Sequence, residues 1–207
     1  MPLLLCNLLV VICKEQYILF LLKMVEPIRQ KNKVEQLQNY LKGKNYRDFL
    51  LFSFGLNTGL RISDIIKLKV SDLLTDKMQF RQYLTIKEKK TKKEKRIKLN
   101  NKLKEYIRLY LAQSKGEYNA FLFGSRKGGA ISRIQAYRIL KDGADALGVE
   151  NFGTHTMRKT FGYFIYQQTK NIGLLMDLFN HSSQKITLKY IGINQDQQDD
   201  IYSRVQF

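Results

Sequence analysis

"NTGLRISDIIKLKVSDL", residues 57–73, sets an arginine two places after a glycine and then turns apolar at helical spacing. Ile65, Ile66 and Leu68 form that apolar face, and Ser63 reads as the cap of a helix opening here. Upstream, "YRDFLLFSFGLNTG" reads as a buried helix ending near Asn57–Gly59. Arg61 therefore stands where one helix stops and the next starts. Backbone N–H groups at a helix start, together with a guanidinium, make an anion site. The plainer reading pairs Arg61 with Asp64 three residues on, worth about 0–1 kcal/mol at a surface. The two are compatible, since Asp64 would steady Arg61.

Outward from this stretch the chain is mostly helical. Val34, Leu37 and Leu41 lie at helical intervals, with Gly43 as the stop. Residues 79–100, "QFRQYLTIKEKKTKKEKRIKLN", alternate instead. Tyr83, Thr85 and Lys87, then Arg96, Lys98 and Asn100, share one face. Leu84, Ile86, Ile97 and Leu99 share the other, which predicts a strand pair around a charged turn. Helices resume in "NKLKEYIRLYLAQ", in "SRIQAYRILKDGADALG" from the cap Ser132 to Gly148, and in "HTMRKTFGYFIYQQ", "NIGLLMDLF" and "SQKITLKYI". The expected class is α+β, mostly α-helical, with one small antiparallel sheet. The polar tail ends with Ile201, Tyr202, Val205 and Phe207 on a rough helical face.

Composition narrows the partner. Of 207 residues, 44% are apolar, enough for a packed core. Lys and Arg total 36 against 18 acidic residues, a net charge of +18. Such an excess opposes compaction and calls for a polyanionic partner, nucleic acid first, with an anionic membrane surface or a ribosomal role as alternatives. Cys6 and Cys13 are the only cysteines, without Cys/His ligand spacing, so a structural zinc site and a disulfide framework are excluded and a reducing cytosol fits. Residues 1–25 form an apolar N-terminal segment, broken by Lys14 and Glu15 before it reaches the ~20 residues of a membrane span. No basic stretch precedes it, as a signal peptide requires. The expected reading is that Met24 is the natural start, residues 1–23 are translated upstream sequence, and the domain occupies 26–207.

Three further stretches carry polar residues that packing does not explain. "THTMRK" spaces His155 and Arg158 three apart, one turn on a helix, where the guanidinium favours an anion over a cation. Most lysines of the hairpin turn read as solvated charge, with one free to reach into a site. "FNHSSQKITLKYIG", residues 179–192, holds His181 and Tyr190. Nothing adjacent singles Tyr190 out, because Ile186 and Tyr190 lie a helical turn apart and both suit a core.

Taken in order, these positions resemble the tyrosine recombinases, also called the phage integrase family, over about residues 26–192. "NTGLRISDI" supplies the family's first arginine as Arg61. "KKTKKEKRIKL" supplies its hairpin lysine as Lys90, and "THTMRKTF" its His-x-x-Arg as His155 and Arg158. "FNHSSQKITLKYI" supplies a second histidine, His181, and nine residues on the tyrosine, Tyr190. Where the family usually has Leu-Gly before that histidine, this chain has Phe179-Asn180, and Asn is the next best residue for a left-handed turn. The resemblance implies a tyrosine-recombinase catalytic domain that cuts and rejoins double-stranded DNA through a 3′-phosphotyrosyl intermediate, in integration, excision or dimer resolution. It implies Tyr190 as nucleophile, Arg61 and Arg158 on the non-bridging oxygens, His155 as base, His181 on the same phosphate and Lys90 as general acid. It implies no cofactor, metal or ATP. It also implies a homo-tetramer on two DNA sites joined through the tail 195–207, in the cytoplasm with the nucleoid. The family usually carries an N-terminal helical DNA-gripping domain as well. A catalytically idle DNA-binding accessory and a type IB topoisomerase remain the alternatives.

Overall fold

A computed structural model of the chain describes residues 25–87, 94–114, 117–193 and 202–203. Helix α1 (Lys31–Lys44) and α2 (Tyr46–Thr58) are separated by one residue, Asn45. Two single-turn helices follow, α3 (Ile62–Ile65) and α4 (Val70–Leu73). A hairpin of β1 (Leu84–Lys87) and β2 (Glu94–Ile97) leads to α5 (Asn101–Ser114) and α6 (Arg133–Ala146). The last three helices are α7 (Thr156–Thr169), α8 (Ile172–Phe179) and α9 (Gln184–Ile191). The mostly helical class with one small antiparallel sheet is thus the observed one.

Helix α2 is the hub. Its run from Asp48 to Gly55 is buried without a break, and it packs on α1, α5, α6 and α7. Phe52 and Phe54 from α2 meet Leu37 and Leu41 from α1, Leu103 and Ile107 from α5, and Leu140 from α6 in one core. A smaller core of Leu175, Phe179, Ile191 and Ile193 joins α8 and α9 to Phe161 and Tyr163 of α7. Gly162 permits that approach. A Cβ there would stand 2.6 Å from the Phe179 ring and 2.8 Å from Ile191.

Two local readings need correction. Gly43 does not stop α1, since nothing crowds it and the helix runs on to Lys44. Asn45 stops it by turning extended (φ −161°), and its side chain accepts a bond from Arg47 N at 2.9 Å, so one residue ends α1 and caps α2. "RISDIIKLKVSDL" is two helices, not one, and Arg61 rather than Ser63 holds the N-cap position of the first. The break arises because Leu68 O accepts Leu122 N at 2.7 Å and Val70 N donates to Ala120 O at 3.0 Å. Those backbone groups are spent on a strand-like bridge, Lys69 to Phe121, and cannot serve a helix ladder.

The hairpin has the expected faces. Leu84 pairs with Ile97 and Ile86 with Lys95 on one side, Thr85 with Arg96 on the other. Its tip, with Lys90, and the tail positions 195–201 and 204–207 lie outside the described residues, as do residues 1–24. Among the described residues no helix is long and apolar enough to cross a membrane.

Gly59 ends α2 in the left-handed region (φ 62°), and a Cβ there would collide with the Phe161 ring. Gly59→Ala is expected to cost about 1–2 kcal/mol in backbone strain and about 1–3 kcal/mol in overpacking. Urea denaturation of the purified domain reads this as a lower midpoint at an unchanged slope.

Candidate active site

Each singled-out residue in the described region stands at an element boundary. Arg61 follows the Gly59 turn with extended backbone (φ −69°, ψ 142°). Its carbonyl takes the N–H groups of Asp64 and Ile65, so those two are not left for an anion. The expected ion pair with Asp64 is not formed. Among the described residues the Arg61 side chain has no hydrogen bond or ion pair, and its charge is felt at His155, His181 and Tyr190.

His155 is not on the same helical face as Arg158, as the sequence suggests. It is the N-cap residue of α7, with φ −102° and ψ −6°, while Arg158 is in the first turn. Thr156 pins the bend, because its Oγ1 accepts Gly153 N at 2.9 Å. The result is a division of labour. His155 stands at the surface and Arg158 is buried beneath it, 4% exposed. Arg158 Nη1 donates to Gly59 O at 2.6 Å and Nη2 to Phe179 O at 3.2 Å, and the guanidinium lies 4.4 Å from the Phe179 ring centroid. One side chain thus joins the ends of α2 and α8 to the start of α7.

Asn180 adopts the left-handed conformation (φ 54°, ψ 51°), which lets His181 N reach back to Met176 O at 2.9 Å. That turn aims the imidazole at α9, where Nδ1 lies 3.2 Å from Thr187 Oγ1. Tyr190, on the same helix, sets its hydroxyl 3.1 Å from His155 Nδ1. Its ring stands edge-on to His181 at 5.1 Å and to Phe179 at 5.4 Å between centroids. Ile186, the other candidate for a core position on this helix, is 52% exposed. His155, Arg158, His181 and Tyr190 therefore meet in one cluster within the electrostatic reach of Arg61. Away from this cluster, a cavity of about 580 Å³ is lined by residues that include Glu26, Arg29, Lys33 and Glu150.

The sequence model of the phage integrase family matches residues 29–197. The chain belongs to the phage integrase family. The probable integrase/recombinase YoeC of Bacillus subtilis (strain 168) is 49% identical over 173 residues, which are 83% of this chain and 92% of YoeC. A tyrosine recombinase of Pseudothermotoga lettingae is 28% identical over 163 residues, 78% of this chain and 55% of that protein. The chain thus spans nearly all of YoeC but about half of the longer tyrosine recombinase. Among solved structures, XerH site-specific recombinase bound to palindromic difH substrate in a post-cleavage complex superposes with a TM-score of 0.67 at 18% identity, over 87% of this chain and 53% of that one. The fold is that of a tyrosine recombinase catalytic domain.

In this recombinase domain the charges act in one direction. Burial holds the Tyr190 phenol above its usual range, and the nearby Arg158 and Arg61 offset part of that. Crowding by its neighbours lowers the His155 imidazole, helped by Arg158, Lys159, Arg61 and Arg133. His181 is lowered in the same way, by burial first and then by Arg158 and Arg61. Both imidazoles are therefore neutral at pH 7, and a neutral His155 has a lone pair for the Tyr190 proton. The linkage has a definite sign. Each histidine binds a proton more readily in the unfolded chain, near 6.5, than in the folded one. Stability is fully present above that value and falls as pH drops below it. Titration of the DNA-free domain by NMR is expected to put both imidazole midpoints below 6.5, with denaturant midpoints flat above that pH and declining beneath it.

Four neighbours of the cluster are not among the site residues that the sequence points to. Phe179 lies under both Arg158 and Tyr190. Lys159 sets its Nζ 5.2 Å from the Tyr190 ring centroid and donates to Val25 O at 2.7 Å. Thr187 holds His181. Lys95, on the inner face of the hairpin, donates to Leu178 O at 2.6 Å and so ties β2 to the turn before His181. A lysine opposite Ile86 was the one available hint.

Proposed function

We propose that the chain is a site-specific DNA recombinase in which Tyr190 forms a transient covalent link to DNA. The observation that carries this is the Tyr190 hydroxyl 3.1 Å from His155 Nδ1, beside the buried Arg158 and within the field of Arg61. A phenol kept protonated by burial needs a base within hydrogen-bond reach and a cationic surround for the charge it gains. The Tyr190 oxygen attacks phosphorus and its proton passes to His155 Nδ1. The bond from phosphorus to O5′ breaks, and Lys90 delivers the proton that the leaving oxygen needs. The product is a 3′-phosphotyrosyl link and a free 5′-hydroxyl. A 5′-hydroxyl of a second strand then attacks the same phosphorus and gives its proton to Lys90, while the Tyr190 oxygen leaves and takes its proton back from His155. Phosphoester count is conserved, so no external energy source enters. Arg61 and Arg158 stabilise the charge that gathers on the non-bridging oxygens, an interaction worth about 10²–10³ in rate per donor in comparable sites, and His181 hydrogen-bonds the same phosphate.

The net charge of +18 fits a duplex partner, and a recombinase of like fold is described bound to its DNA substrate. We assign four copies to two DNA sites, with residues 195–207 as the contact between copies, and a location with the nucleoid. The test is a nicked suicide duplex carrying candidate short inverted repeats taken from the DNA beside the gene. Incubation is expected to give a protein–DNA adduct that survives denaturant, with the DNA attached through its 3′ end. An adduct attached through a 5′ end, or none with any flanking repeat, overturns the reading.

A further inference from the structure

We infer that Thr187 is a positioning residue for His181: its hydroxyl holds the imidazole proton on Nδ1, so that Nε2 is the nitrogen left for the substrate. Thr187 is fully buried in the middle of α9, three residues before Tyr190 and on the same side of the helix. Its Oγ1 lies 2.9 Å from Ser183 O and 3.2 Å from His181 Nδ1. A hydroxyl has one proton. A carbonyl oxygen only accepts, and two oxygens 2.9 Å apart repel unless that proton lies between them. The Thr187 proton therefore goes to Ser183, a side-chain bond to the i−4 carbonyl. What Oγ1 has left for the imidazole is a lone pair, and Nδ1 must donate to it.

The backbone is anchored by the same short loop. Asn180 bends it, His181 N bonds Met176 O, and Ser183 caps α9 by accepting Ile186 N at 3.2 Å. With Nδ1 occupied, the ring can neither flip nor exchange its tautomer without losing that half-buried bond. Free imidazole in water favours the opposite form, with the proton on Nε2. The protein selects the less populated tautomer and aims its second nitrogen. The consequence for cleavage rests on the phosphate contact proposed for His181, but the tautomer itself does not.

The chain has only two histidines, so long-range ¹H–¹⁵N correlation of the imidazoles is readable without assignment ambiguity. At a pH where both rings are neutral, His181 is expected to show the Nδ1–H pattern in the DNA-free domain. Thr187→Val keeps the side-chain shape, removes the acceptor, and is expected to move His181 toward the Nε2–H pattern while His155 signals stay in place as the folding control. Thr187→Ser restores the original pattern. On a suicide duplex, T187V is expected to form the adduct at least tenfold more slowly at a DNA affinity within twofold, and T187S to recover most of the rate. A wild-type His181 carrying its proton on Nε2, or a T187V that keeps it on Nδ1, overturns the inference. If the wild-type chain makes no adduct at all, the catalytic reading fails, and the spectra still decide the tautomer.

Discussion

Tyr190→Phe is expected to abolish the denaturant-resistant protein–DNA adduct and to leave DNA affinity within about twofold. The substitution removes one oxygen, and that oxygen is the atom proposed to attack phosphorus. The ring stays, and with it the edge contacts to His181 and Phe179 at 5.1 and 5.4 Å. The folded state loses the hydroxyl's hydrogen bonds, to His155 at 3.1 Å and to Arg158, each worth about 0.5–1.5 kcal/mol. DNA affinity comes from charge spread over the chain, which the variant leaves intact. The readouts are a gel of the suicide reaction after denaturation and a binding titration at fixed salt. An adduct persisting in the Phe variant removes Tyr190 as nucleophile.

Arg158→Ala is expected to fail in two separable ways. Its guanidinium satisfies Gly59 O and Phe179 O and lies over the Phe179 ring. Truncation leaves buried carbonyls without that donor, at about 1–3 kcal/mol each, and opens a void. Losing a buried charge returns part of that, so a net destabilisation of about 2–4 kcal/mol is expected in urea. The chemistry suffers more. A fixed donor to a transition-state oxygen contributes about 10²–10³ in rate, so adduct formation per folded molecule should fall at least a hundredfold. Arg158→Lys discriminates the two effects. It keeps a positive charge, but an ammonium cannot hold two carbonyls and a phosphate oxygen with a planar fork. It is expected to keep DNA affinity and to remain nearly as slow as the alanine variant. A Lys variant that cleaves at the wild-type rate would show that charge alone suffices.

The fold class was legible because apolar periodicity is local. The α2 and α6 boundaries and the faces of the hairpin follow from spacing, from Ser132 and from Gly59, each of which acts within a turn of its own position. The split of 61–73 into two helices was not legible. It depends on hydrogen bonds to residues 120–122, some fifty positions away. The same distance separates a motif from its geometry. "THTMR" reads as one helical face, yet His155 caps the helix and Arg158 enters the core, because Gly59 and Phe179 supply the carbonyls that bury the guanidinium. The left-handed Asn180 was readable from residue type, since a short polar side chain tolerates that conformation.

By itself the sequence determined the helical class, the basic character, the family resemblance and which histidines, arginines and tyrosine to watch. These are properties of composition and of order along the chain. Only the tertiary structure decided that Tyr190 faces His155, that Arg158 braces three helix ends, that Arg61 does without Asp64, and that Thr187 lies against the His181 ring. Each of those is a contact between elements, set by packing around Phe179 and the turn at Gly59. A hydrogen bond spanning 35 positions, as from Tyr190 to His155, has no local signature from which to read it.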